Sequence, residues 1–338
     1  MRKHRSILFI YCPLTFLLAL HLEAQDNQPL RLVQKISMPG VHGILDHVTV
    51  DVKGKRLFIP ANSENQNTVE VIDVKAGKRI ASIPGQSHPQ GTFYSATFNK
   101  LFVANGTDGT CKIFSGDTFK LIKNMPLGPA GTNANQMGYD PETKFLYVGT
   151  GDKDSGSLAI IDTSSNEHIG DIKTDARPGW ITFENSGPRI FMNLSGSTKL
   201  AVIDKNKRQL IETWPIAGAK NIGPLVLDEG HHRLFVGTRD PPMLIVFDTA
   251  SGKQITQLDS VPTLDGLWYD SVHKRIYATG DGAIAVYDRK SADDYTPMTK
   301  VPMERNAQPS IWVPEFNRLY ISIPENGDHE AEVLVYEP

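Results

Sequence analysis

Apolar and polar residues alternate along most of this chain in runs of strand length, separated by clusters of Gly, Pro, Asn and Asp. Val69-Glu-Val-Ile-Asp73 and Leu244-Ile-Val-Phe-Asp248 are typical runs. Such a period of two predicts half-buried or buried strands. No segment sustains a helical period, so very little helix is expected.

The runs repeat in register. A basic or polar residue, an aliphatic anchor and an aromatic or aliphatic open one strand in each copy, as in Arg56-Leu-Phe-Ile59, Lys100-Leu-Phe-Val103 and Arg318-Leu-Tyr-Ile321. The anchors are Leu57, Leu101, Leu146, Ile190, Leu234, Ile276 and Leu319, spaced by 44, 45, 44, 44, 42 and 43 residues. A second strand ending in an acidic residue follows each anchor, for example Leu158-Ala-Ile-Ile-Asp162. In the second copy Cys111-Lys-Ile-Phe-Ser115 replaces the terminal acid with Ser. A turn and a weaker strand come next, as in Ala76-Gly-Lys-Arg-Ile-Ala-Ser-Ile83. Another strand precedes each anchor and often ends in an acidic turn such as Asp140-Pro-Glu142, where Asp can bond backbone amides and reverse the chain.

Four strands per copy, seven copies and a period near 44 residues predict an all-β, seven-bladed β-propeller of four-stranded blades, forming one domain over 25–338. The seventh copy ends at Pro338, directly after its third strand. Its missing outer strand is expected from the front of the chain, where Leu30-Arg-Leu-Val-Gln-Lys-Ile-Ser37 has no blade of its own. Pairing the two closes the ring and removes exposed sheet edges.

Charge adds little to this picture, with 35 Lys+Arg against 38 Asp+Glu and a formal net charge of −3. That balance gives no reason to expect a nucleic-acid partner or an anionic membrane surface. The first residues differ from the rest. Met1-Arg-Lys-His-Arg5 is basic, Ser6 to Leu20 is mainly apolar, and Ala24 offers a small residue for cleavage. Residues 1–24 therefore read as a cleaved signal peptide, which places the mature protein outside the cell or in the periplasm. The apolar stretch falls short of the ~20 residues that a membrane-spanning helix needs, and no membrane span is expected in the mature chain. Cys111 then stands alone, expected as a small buried strand residue.

The pairing of Arg56-Leu-Phe-Ile-Pro-Ala-Asn62 with Thr68-Val-Glu-Val-Ile-Asp73 resembles the YVTN-type, YncE-like β-propeller repeat family. Lys100-Leu-Phe-Val-Ala-Asn105, Leu146-Tyr-Val-Gly-Thr150 and Leu234-Phe-Val-Gly-Thr238 with Val246-Phe-Asp-Thr249 match the same repeat, over the whole mature chain. The resemblance implies a bacterial extracytoplasmic propeller. These motifs are blade-core positions, so they specify fold rather than chemistry.

Function must come from a site. In a propeller the innermost strand of each blade lines the channel, and the loop leading into it forms a mouth. Eleven residues before the anchors stand Asp46, Gln90, Asn135, Gly179, Gly223, Asp265 and Gln308. Thirteen before stand Ile44, His88, Asn133, Arg177, Asn221, Thr263 and Asn306. His47 and Trp180 lie one residue after the first column. The expected mouth residues are Asp46, His47, His88, Asn135, Arg177, Trp180, Asn221 and Asp265.

Two readings of this mouth stay open. In the first it binds a protein, peptide or small solute without chemistry or cofactor; Arg177 can fork onto an anion and Trp180 can stack on an apolar or sugar face. In the second, Asp46, His47, His88, Asn135 and Asp265 hold a divalent metal for a lactonase-like hydrolase or lyase. Asp265-Gly-Leu267 resembles the strand starts of lactonase-type propellers. The aromatic column seven before the anchors (Tyr94, Tyr139, Phe183, Tyr269 and Trp312) is expected to fill the space between blades, and His231-His232 to be exposed in a turn.

Overall fold

The computed structural model describes residues 28–129, 131–303, 309–327 and 329–338. The expected signal peptide, the rim residues Asn306 and Gln308 and the Glu304-Arg305 loop lie outside the described residues. Seven antiparallel sheets make up the described chain, six of them running in sequence order from an inner to an outer strand. The second blade, for example, runs Pro89–Ser95, Lys100–Asn105, Thr110–Ser115 and Leu121–Pro126. This is a seven-bladed β-propeller. Helix is confined, among the described residues, to two single 3₁₀ turns at Glu229–His231 and Pro314–Phe316. No described helix is long and apolar enough to cross a membrane.

The ring closes as the repeat count requires. The last blade takes Ser310–Val313, Arg318–Ile323 and Glu332–Glu337 from the end of the chain and Arg31–Ser37 from the front. The closing pair is antiparallel, with Lys35 opposite Leu334, Ile36 opposite Val333 and Ser37 opposite Glu332. Ile36 is fully buried in a cluster with Leu57 and Ile59 of the first blade and Val333 and Val335 of the last. One strand thus joins both ends of the chain through hydrogen bonds and a shared core.

Between blades the packing repeats. At four of the seven anchors the adjacent aromatic meets the inner-strand aromatic of the following blade: Phe58 on Tyr94, Tyr147 on Phe183, Phe235 on Tyr269 and Tyr277 on Trp312, with ring centroids 5.3–5.6 Å apart. Tyr139 stacks instead on Phe93 at 4.4 Å. Each blade alone would leave these faces in water; stacking buries them. Cys111 lies fully buried in the same core, and burial pushes its thiol up to about 12.

The turns follow the side-chain chemistry. Asp73, Asp162, Asp204 and Asp248 each accept a backbone N–H bond from a residue two or three positions on. Asp51 and Asp270 do the same before the anchors. These second acids have a further role that a turn alone would not demand. Asp140 meets Lys205 of the next blade at 3.0 Å and Asp228 meets Arg289 of the next blade at 3.4 Å, all four side chains being buried. Two residues before the anchor the chain turns left-handed at Lys55, Asn99, Lys144, His232, Lys274 and Asn317. The fourth blade has Pro188 there, whose ring forbids that conformation. His231 and His232 are exposed as expected, with His231 Nδ1 3.0 Å from Asp228.

Deleting residues 30–38 should lower the unfolding temperature of the entire ring and broaden its transition. A milder test is Ile36→Ala, for which about 2–5 kcal/mol of lost stability is expected by denaturant unfolding. A thermal midpoint unchanged by the deletion would show that closure does not hold the ring.

Candidate functional site

The inner strands do not run smoothly into the mouth. In the second to fifth blades their register shifts between Pro89 and Gly91, Ala134 and Met137, Pro178 and Ile181, and Ile222 and Leu225. In the first blade the inner strand is broken into Ile44–Leu45 and Thr49–Asp51. The irregularity falls in each case on the residues ten and eleven before the anchor. An extra residue there bends the strand and re-aims side chains toward the axis.

Asp46 still gives its backbone N–H to the Pro60 carbonyl of its own blade at 3.0 Å, but the break takes His47 out of the ladder. His47 instead donates its backbone N–H to the Gln90 carbonyl of the second blade at 2.9 Å, and its carbonyl accepts the Thr92 hydroxyl at 2.7 Å. Gly91 allows a similarly close approach on its other side: a Cβ there would lie 2.2 Å from the Asn135 carbonyl oxygen. Adjacent inner strands are therefore pinned together just where the mouth begins.

The result is a well of about 410 Å³ at the mouth. Of the expected residues, Asp46, His47, Asn135, Arg177, Trp180, Asn221 and Asp265 all line it. His88 does not. Its backbone adopts φ 59° and, like Asn221 and Thr263 in the same column, it shapes the rim turn. Its backbone N–H bonds Asn67 Oδ1 at 3.1 Å, which holds it beside the first blade rather than over the well.

Polar lining residues that were not singled out in the sequence include Gln136, Asn193 and Arg239. Gln136 shares the column of His47 and Trp180, so the column itself was the available signal. Arg239 is the one basic residue five after an anchor, where Asn62, Gly106, Gly151, Ser195, Asp281 and Pro324 stand in the other copies.

Charges in the well are arranged in pairs and layers. Arg239 bonds Asp265 and the Leu264 carbonyl while its guanidinium lies 5.2 Å from the centre of the Trp180 ring. Trp180 in turn meets the His47 ring edge-on at 5.5 Å. Arg177 donates one N–H to Asn133 Oδ1 at 2.6 Å and makes no ion pair among the described residues. Burial, and then repulsion from Asp265, hold the Asp46 carboxyl well above the ordinary aspartate range, against the His47 N–H bond and the attraction of Arg177. Burial also raises Asp265, with Arg239 opposing.

Burial, followed by the charges of Arg239 and Arg177, lowers His47 to about 3. The ring is therefore neutral at ordinary pH. Its Nε2 lies beside the Gln136 amide nitrogen, and an unprotonated Nε2 there accepts that N–H. Asp46 Oδ1 accepts the His47 backbone N–H at 2.9 Å and sits 3.2 Å from the same ring nitrogen. Gln90 Oε1, Asn135 Oδ1 and Asn193 Oδ1 are buried in the wall without a hydrogen-bond partner. Such orphaned acceptors cost stability, and three of the nine unpartnered buried side-chain atoms among the described residues border this one cavity.

No protein-family model and no curated protein matches the chain. Solved structures do. A chain in the crystal structure of the mitotic checkpoint complex superposes with a TM-score of 0.72 at 13% identity, covering 100% of this chain and 98% of that one. Kuenenia stuttgartiensis hydrazine synthase gives 0.70 at 18% identity, with 84% and 95% covered. The β-propeller domain of Myceliophteria thermophila Cps50 (Swd1) gives 0.70 at 14%, with 92% and 100% covered. At these identities the likeness is one of fold.

The two perturbed groups drive stability in opposite directions with pH. Asp46, titrating above its unfolded value, favours the fold at low pH and loses that contribution as pH rises. His47, titrating near 3, costs stability as pH falls below the usual imidazole range. Asp46→Asn keeps an acceptor for the His47 N–H and removes the buried charge. Its thermal midpoint should exceed that of the wild type at about pH 8, and the gap should narrow toward about pH 5. A gap independent of pH would show that Asp46 is not held protonated by the fold.

Proposed function

We propose that this protein is an extracytoplasmic recognition propeller of the YVTN-type kind, binding a peptide, a partner protein or a small solute at the mouth of its channel. The observation that carries the reading is the asymmetry of the mouth. The blade cores repeat, yet Arg177, Trp180, Arg239, Asp46 and Asp265 each occur once in their columns or nearly so, and all face one well. A purely structural ring needs no such cavity, and its orphaned acceptors and buried carboxylates work against stability. Cavities that combine an aromatic face with a few fixed polar groups are typical of ligand sites. That propellers of this shape occur within a mitotic checkpoint complex is consistent with a binding role.

A second reading, a metal-dependent hydrolase or lyase of lactonase type, draws on the convergence of Asp46, His47, Asn135 and Asp265 on the same well. Repulsion of Asp46 by Asp265 is the kind of strain a divalent ion would relieve. It would have to draw Asp265 away from Arg239.

Thermal-shift measurements with organic acids, phosphate esters, sugars and short peptides test the first reading. At least one class should raise the melting temperature of the wild type by several degrees and leave Arg177→Ala unmoved. Absence of any shift, or a shift that survives the substitution, overturns mouth recognition. For the second reading, metal analysis after purification without affinity-tag metals should show near-stoichiometric Ca, Mn or Zn, released by Asp46→Ala with Asp265→Ala. Metal-free protein with no metal-induced thermal shift overturns it.

A further inference from the structure

Beneath the mouth lies a second space of about 240 Å³ with a different character. It shares His47, Gln136, Trp180, Asp265 and Pro309 with the well above, so these five residues form the waist between the two. The whole column ten before the anchors borders this lower chamber, including Gly91, Pro224 and Gly266, whose small or compact side chains leave the axis open. Below the waist the wall is formed by Val48, Met137, Ile181, Val226, Leu267 and Trp268.

Several polar groups of the chamber are already engaged with protein, the Thr182 hydroxyl being an exception. Thr92 gives its hydroxyl to the His47 carbonyl at 2.7 Å. Trp268 Nε1 donates to Ser310 Oγ at 2.9 Å, and Ser310 shares a further bond of 2.8 Å with Thr279. About half of what faces the chamber is therefore hydrocarbon and indole, a larger share than in the well above.

The well above has the opposite balance. Asp265 is neutralised by Arg239, and the fold disfavours the charged form of Asp46. Arg177 keeps its charge with one amide oxygen as its hydrogen-bond partner among the described residues. The well thus presents a guanidinium attracted by Asp46 and Asp152 but in contact with neither, whose remaining N–H groups suit the paired oxygens of a carboxylate.

We propose that the channel binds a small amphiphilic carboxylate, with its head on Arg177 in the mouth well and its apolar body passing the waist beside Trp180 into the lower chamber. The inference rests on the recognition reading above and specifies its ligand class. Two phases of different polarity joined end to end are matched by a molecule divided in the same way. A doubly charged solute would leave the apolar chamber unfilled, and a neutral hydrocarbon would leave Arg177 unpaired.

Titration calorimetry with linear monocarboxylates from acetate to octanoate, against the matching alcohols, tests it on the wild-type protein. Affinity should rise by up to about fourfold per added CH₂ until the chamber is full. The alcohols should bind at least tenfold more weakly than the acids. Arg177→Ala should abolish that preference for acids, with Arg177→Lys restoring part of it. Val226→Phe, which narrows the chamber, should flatten the dependence on chain length while short acids still bind. Binding of acids without chain-length dependence overturns the amphiphile and leaves mouth recognition standing. So does binding of peptides or sugars alone. If no probe of any class binds, both readings fail together.

Discussion

Everything in this molecule depends on the pairing of Arg31–Ser37 with Glu332–Glu337. A propeller blade has two apolar faces and buries each only against a neighbour. An open arc of seven would leave one face of the first blade and one of the last in water. Here the strand that completes the last blade also feeds directly into the first. Ile36 sits in a core shared by both blades, so hydrogen bonding and apolar burial oppose opening at the same seam. Inter-blade pairs such as Asp140 with Lys205 and Asp228 with Arg289 link neighbouring blades, though the desolvation of buried ion pairs offsets much of their attraction.

A closed ring makes an axis available, and the strand irregularities determine what faces it. The register shifts of the inner strands recur at one level in successive blades. In the third and fourth blades they bring two adjacent residues, Asn135 with Gln136 and Gly179 with Trp180, to the same well. This is how Asp46 and His47 come to share a wall with Asn135 and Gln136. The cost is visible in amide oxygens without partners and in carboxyls held above their usual range. A rigid frame can tolerate such groups because stability is supplied elsewhere, by the repeated apolar columns.

The candidate site was legible in part, for a specific reason. Column alignment works for residues that occupy equivalent places in each copy, and it located Asp46, His47, Asn135, Arg177, Trp180, Asn221 and Asp265 around one well. It failed for His88, which shares a column with Arg177 but is tied by its backbone to Asn67. It also passed over Arg239, which reaches the well from a second strand of its blade, and Gln136, which looks like an ordinary polar strand residue. Side-chain reach and loop conformation separate these cases, and neither is encoded in a column number.

The fold was a property of the sequence pattern. Seven anchors at nearly constant spacing, period-two alternation, acids at the strand ends and a spare strand at the front left one arrangement that buries every apolar face. Local chemistry suffices for that because each blade repeats the same short-range choices. The division of the channel into a polar well and an apolar chamber was decided by tertiary structure alone. It arises where the seven inner strands converge, among residues more than two hundred positions apart, such as His47 and Asp265. Pairing of Arg239 with Asp265, and not with any nearer acid, is likewise a consequence of ring geometry. Contacts across an axis depend on how far each strand is bent toward it, and the repeat by itself carries no record of that bend.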